Sequence, residues 1–114
     1  MSAITTHILD VSTGFPAHGV PVMLQRQQEN TTWKVIGKGI TDDNGRLRDL
    51  LSPDADLSEG NYRLIFDTGA YFKEQQIESF YPQVTVAFTV RDTAQHYHVP
   101  LLLSPFGYST YRGS

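Results

Sequence analysis

Cysteine is absent from these 114 residues. That excludes a disulfide framework, a thiol nucleophile and a thiolate metal site, and it fits a reducing compartment. A basic excess is absent too: nine Lys and Arg stand against twelve Asp and Glu, a net charge of −3. General affinity for nucleic acid is therefore not expected. No apolar run approaches the ~20 residues of a membrane-spanning helix, so no membrane partner is expected. Nothing near Met1 pairs a basic stretch with an apolar core, so no signal peptide is read and a cytoplasmic location is the expectation. There is no G-x-S-x-G elbow to mark a serine nucleophile. Neither Gly37-Lys38-Gly39 nor Gly45 fits a phosphate loop or a dinucleotide fingerprint. If this chain catalyses a hydrolysis, water is the natural attacking group.

Hydrophobic residues make up 39 % and aromatic residues 11 % of the chain, as in a folded globular protein. Its length suits one domain, residues 1–114, able to bury roughly two thirds of its unfolded surface. The signals along it are short strands between turns. Strands are expected at Thr5–Val11, Pro21–Arg26, Thr32–Ile40, Asn61–Asp67, Val84–Val90, Tyr97–Leu103 and Tyr108–Arg112, with a short one at Arg46–Asp49. Asn44-Gly45 marks a tight turn because Gly tolerates positive φ. Ser12–Pro16 and Leu50–Glu59 read as loops, and Ala70–Glu78 is the one helical-looking segment. Seven or eight strands with turn signals every 8–12 residues or so predict an all-β sandwich.

Period-two alternation sorts the polar residues. Ile4, Thr6 and Ile8 share one face of the first strand, and Thr5, His7 and Leu9 share the other. In the His96 strand, Tyr97, Val99, Leu101 and Leu103 face the core, while His96, His98, Pro100 and Leu102 lie opposite. Three of the four histidines thus project from a semi-apolar face that suits contact with a second subunit.

The residues that carry chemistry are few. His96 and His98 sit two apart, ~7 Å between Cα atoms on a strand, a spacing able to hold a metal ion with His7 as a third ligand. The same imidazoles could instead exchange protons near neutral pH. Arg46, just after the turn, could stabilise an anion or a developing oxyanion, and Arg48 competes for that role. The chain closes on Tyr111-Arg112-Gly113-Ser114. Ending on Gly-Ser offers no packing, so either the tail frays or the Ser114 hydroxyl and carboxylate serve a ligand.

These same residues resemble a known family. The block His96–Ser114, HYHVPLLLSPFGYSTYRGS, is similar throughout to the C-terminal block of the 5-hydroxyisourate hydrolases, transthyretin-related enzymes of urate degradation. Thr5–Asp10 resembles their N-terminal block. Asp43-Asn44-Gly45-Arg46 resembles their D-G-R element, with Asn before the glycine. Asn61–Phe72 is also similar. The resemblance implies a transthyretin-like β-sandwich of two four-stranded sheets with one short helix. It implies a homotetramer, a dimer of dimers, with sites in clefts between dimers. The implied reaction is hydrolysis of 5-hydroxyisourate to 2-oxo-4-hydroxy-4-carboxy-5-ureidoimidazoline, without cofactor or metal. It assigns His7, Arg46 and His98 as catalytic residues and Tyr111, Arg112, Gly113 and Ser114 as substrate-binding residues, and leaves His96 undecided. The competing readings are a transthyretin-like hormone carrier and a histidine-based metal-binding module.

Overall fold

A computed structural model describes residues 2–114. Nine strands and one helix follow in order: β1 (Ile4–Asp10), β2 (Phe15–Pro16), β3 (Pro21–Gln27), β4 (Trp33–Ile40), β5 (Arg46–Leu47), β6 (Gly60–Phe66), α1 (Thr68–Glu74), β7 (Val84–Val90), β8 (Tyr97–Ser104) and β9 (Gly107–Thr110). They form two sheets, one in the order β4-β3-β6-β7 and one in the order β2-β1-β8-β9 with β5 also on β1. Strand β8 runs parallel to β1 along its whole length, so the two-residue strands β2 and β5 share the other edge of β1. Both sheets are thus four strands deep, and the expected sandwich stands.

The alternation read from sequence sets the core. Ile4, Thr6 and Ile8 of β1 and Tyr97, Val99, Leu101 and Leu103 of β8 are buried. All but Thr6 pack with Leu24, Tyr62, Leu64 and Phe66 of the second sheet in one hydrophobic cluster. Fully burying each such side chain contributes about 1.5–3 kcal/mol, which makes the register of β1 and β8 hard to slip.

Three elements differ from expectation. The helix begins at Thr68 and ends at Glu74, earlier at both ends than predicted. Asp67 caps it by accepting the Ala70 N–H at 3.1 Å. Gly69 therefore lies inside the helix, where a Cβ would come within 2.5 Å of the Pro82 carbonyl oxygen. Within the expected loop Ser12–Pro16, Phe15 and Pro16 pair with Asp10 and Leu9. Finally, β9 stops at Thr110 instead of Arg112. Pro100 explains that end. Its carbonyl accepts the Thr110 hydroxyl at 2.7 Å, so this edge of β8 faces β9, and proline has no N–H to continue the ladder. Beyond it, the tail returns to β8 only through Gly113, whose N–H donates to the His98 carbonyl at 2.9 Å.

Candidate active site

The turn before β5 positions the arginine. The Asp42 carboxylate accepts the N–H groups of Asn44 at 2.9 Å and Arg46 at 3.0 Å. Gly45 sits at φ 73°, and a Cβ there would come within 2.4 Å of the Ile8 carbonyl oxygen. Only glycine lets the turn press this closely on β1. The Ile8 N–H donates to the Gly45 carbonyl, and Arg46 becomes the cross-strand partner of His7.

On the other edge of β1, Thr5 is the register partner of His98. Its side chain points away from the core yet is buried, because two imidazoles cover it. The Thr5 hydroxyl lies 2.8 Å from His98 Nδ1 and 3.1 Å from His96 Nε2. The two rings are nearly parallel, with centroids 6.4 Å apart. The hydroxyl therefore engages one nitrogen of each ring and leaves His98 Nε2 and His96 Nδ1 clear of it. Among the described residues no three His, Asp or Glu side chains gather as a metal-binding set.

Arg46, Arg48, Thr5, His96, His98 and Ser114 all line one open cleft of about 860 Å³. His7 lies beside Arg46 but outside that lining. Electrostatically the three residues form a set. Burial, then the Arg46 guanidinium, hold His98 below the ordinary histidine pKa, with His96 and His7 adding to the effect. Burial and then Arg46 also depress His7, against the opposing pull of the Asn44 carbonyl and Asp42. Both rings are therefore neutral near pH 7, the state in which an imidazole accepts a proton.

The tail residues divide between two surfaces. Ser114 reaches the cleft, and Gly113 lies against the His98 ring, where a Cβ would come within 2.6 Å of Cδ2. Tyr111 and Arg112 line a separate groove beside β7. The Arg112 guanidinium lies 4.6 Å from the Tyr97 ring centroid and donates to Gln95 Oε1 at 2.6 Å. Sequence reasoning missed Thr5 and Gln95. Thr5 reads as one more β-branched strand residue, and its imidazole partners are 91 and 93 positions away.

The HIUase/transthyretin family model matches residues 4–113. The chain belongs to that family. It is 54 % identical over 113 residues to a probable 5-hydroxyisourate hydrolase of Caenorhabditis elegans, covering 99 % of this chain and 82 % of the relative. It is 46 % identical to the mouse 5-hydroxyisourate hydrolase, covering 99 % of this chain and 96 % of that one. Among solved structures it is similar to the Klebsiella pneumoniae 5-hydroxyisourate hydrolase, with TM-score 0.84, 38 % identity and coverage of 97 % and 92 %. It is more similar still in fold to sea bream transthyretin in complex with thyroxine, with TM-score 0.92, 32 % identity and coverage of 98 % and 95 %. Within this family the fold accommodates both an enzyme and a thyroxine-binding protein, so the side chains of the outward face must separate them.

Proposed function

We propose that this protein is a 5-hydroxyisourate hydrolase that opens the six-membered ring of its substrate at an amide-like C–N bond. The product is 2-oxo-4-hydroxy-4-carboxy-5-ureidoimidazoline. The observation that carries this reading is the meeting of Arg46 and His98 on one cleft, with His7 beside Arg46 on β1, in a chain this similar to named hydrolases. The carrier alternative rests on the transthyretin match, at 32 % identity below the 46–54 % shared with the named hydrolases. Against the metal alternative, no three His, Asp or Glu side chains gather as a ligand set among the described residues.

In the proposed mechanism His98 takes a proton from water as the oxygen attacks the ring carbonyl. Arg46 stabilises the negative charge that develops on the carbonyl oxygen, and His7 assists it. The C–N bond then breaks, the nitrogen takes up the proton held by His98, and the carboxylic acid formed releases its remaining proton to solvent as a carboxylate. Ser114 orients substrate or water from the cleft wall, Gly113 seats the tail against the His98 ring, and Tyr111 and Arg112 anchor the tail in the neighbouring groove. Imidazole and guanidinium supply the proton transfer and the charge, so the proposal needs neither cofactor nor metal.

The proposal extends to assembly and setting. The chain acts as one domain, supported by its single hydrophobic cluster. It works as a homotetramer, a dimer of dimers, with the cleft completed by a neighbouring subunit. Support comes from the outward face of the first sheet, where Leu9 and Leu102 are only half-buried beside the histidines, and from Phe15, which is 70 % exposed. The proposed setting is the cytoplasm. Among the described residues no helix is long and apolar enough to cross a membrane.

The test is to generate 5-hydroxyisourate freshly with urate oxidase and follow its ultraviolet absorbance with and without the protein. Acceleration that survives a chelator supports the proposal, and decay no faster than the spontaneous rate overturns it. His98→Asn should lower kcat/KM by roughly 10²–10⁴-fold, the worth of a positioned base.

A further inference from the structure

The Thr5 hydroxyl has one proton and two imidazole nitrogens within hydrogen-bond distance, His98 Nδ1 at 2.8 Å and His96 Nε2 at 3.1 Å. A hydroxyl can donate to only one of them; accepting from both would leave its own proton without a partner, so it donates to one and accepts from the other. The two histidines are therefore locked into reciprocal protonation states. Either His98 carries its proton on Nδ1 and donates to Thr5, while Thr5 donates to His96 Nε2; or His96 donates to Thr5 and Thr5 donates to His98 Nδ1.

These arrangements differ in what His98 presents to the cleft. In the first, Nε2 is a bare lone pair able to take a proton from water. In the second, Nε2 already carries hydrogen and cannot serve as a base. Charge adds a second criterion. When Nε2 takes up a proton, both ring nitrogens carry hydrogen, and Nδ1–H has to donate. The first arrangement survives this step with every hydrogen bond in place. The second would require the Thr5 hydroxyl to reverse. His96 is exposed, so solvent satisfies its Nδ1–H in the first arrangement without cost.

We infer that Thr5 and His96 are positioning residues that hold His98 as the Nδ1–H tautomer, through the chain His98 Nδ1–H to Thr5 Oγ1 and Thr5 O–H to His96 Nε2. This rests on the proposed role of His98 as the base. It gives the exposed His96 a function at one remove from the reaction, without contact with substrate. The same logic orients metal-bound and triad histidines, in which the partner of one ring nitrogen decides what the other can do.

The test measures the tautomer directly, from imidazole ¹⁵N shifts of the labelled protein at neutral pH, and pairs it with kcat/KM. Wild-type His98 should be protonated at Nδ1 and bare at Nε2. Thr5→Val should shift His98 toward the Nε2–H form and lower kcat/KM roughly five- to tenfold, the worth of one hydrogen bond. Thr5→Ser should restore both. His96→Phe changes an exposed residue and leaves the core intact. With no acceptor on the far side, the Thr5 hydroxyl should turn to donate to His98 Nδ1, giving the same tautomer shift and a comparable loss of rate. A wild-type His98 bearing hydrogen on Nε2 would overturn the inference. So would a His96→Phe variant with wild-type tautomer and rate. Should the wild-type protein fail to accelerate 5-hydroxyisourate decay, the reaction would be wrong, while the tautomer measurement would still judge the hydrogen-bond chain by itself.

Discussion

Gly113→Ala is a small substitution with a large expected effect. The glycine lies outside the positive-φ region, so alanine can adopt its backbone conformation. At such a site the change alone would stabilise by about 0.4–1 kcal/mol, by restricting the unfolded chain. The new methyl carbon would instead lie 2.6 Å from His98 Cδ2 and 3.1 Å from Pro100 Cγ. Ordinary carbon contacts are ~3.5–4.0 Å, so something must move by about 1 Å. Pro100 is buried and fixed in the middle of β8. The movable partners are the His98 ring and the tail. If the ring rotates, it leaves the Thr5 hydroxyl. If the tail lifts, it loses the bond from the Gly113 N–H to the His98 carbonyl and withdraws Ser114 from the cleft. Either response misplaces a group assigned to the reaction, and a 1 Å misplacement can cost about 10²-fold. Stability should change little, since the bond at risk contributes about 1 kcal/mol against a similar gain from the unfolded state. The paired assay is initial-rate decay of 5-hydroxyisourate alongside thermal unfolding. The expected result is a kcat/KM lower by roughly 10- to 100-fold, with Tm within about 4 °C of wild type. A folded Gly113→Ala protein with wild-type kcat/KM would refute the argument that close approach of the tail to His98 matters for turnover.

Other predictions address charge and anchoring. The acid limb of kcat/KM should have its midpoint below the ordinary histidine value near 6.5, because the free enzyme must hold a neutral base and burial and Arg46 both favour neutral His98. Arg46→Gln should move that midpoint up toward the ordinary value without reaching it, since burial is the larger cause and His96 and His7 remain; a pH–rate profile with an unmoved or lower midpoint would contradict this. Stability should follow the same groups. His7 and His98 bind protons less readily folded than unfolded, so stability is full above about pH 6.5 and falls as pH drops from there toward their folded pKa values, which denaturant titrations at stepped pH would detect. Tyr71→Phe removes the hydroxyl that donates to buried Asp10 Oδ2 at 2.8 Å, a contact that helps push the Tyr71 pKa up to about 12. It should cost about 1–3 kcal/mol in urea unfolding and leave kcat/KM near wild type, and an unchanged midpoint would show the contact to be dispensable.

Much of the sandwich could be read from sequence because period-two alternation is a local property. Ile4, Thr6 and Ile8, and Tyr97, Val99, Leu101 and Leu103, declare their burial without reference to partners. What was hidden depended on a cap and on strand neighbours. The early start of α1 comes from the Asp67 cap, which an Asp-Thr-Gly string announces only weakly. The end of β9 comes from a missing donor at Pro100, on the neighbouring strand. The Asn44-Gly45 turn was legible, but its consequence, Arg46 opposite His7, required the pairing of β5 with β1.

The same division governs the candidate site. His98 and Arg46 are visible as residue types, but the determinants of their chemistry lie among groups that sequence reading treats as bland. Thr5 reads as a strand-former, and Gly113 as entropy without packing. In the fold, the first covers two imidazole nitrogens with one hydroxyl, and the second is the residue small enough to lie against the His98 ring. This bears on how a single sandwich can underlie a thyroxine-binding protein and a hydrolase. The core-facing positions of β1 and β8 are apolar in the main and suit either role. The outward positions, Thr5 and His7 on β1 and His96 and His98 on β8, are where the proposed mechanism adds its proton chemistry, with Arg46 aligned beside them by a turn that only glycine closes. Changing those outward residues should leave the sheets intact and lower the proposed activity, so activity and fold stability should respond to separate sets of substitutions on the same two strands.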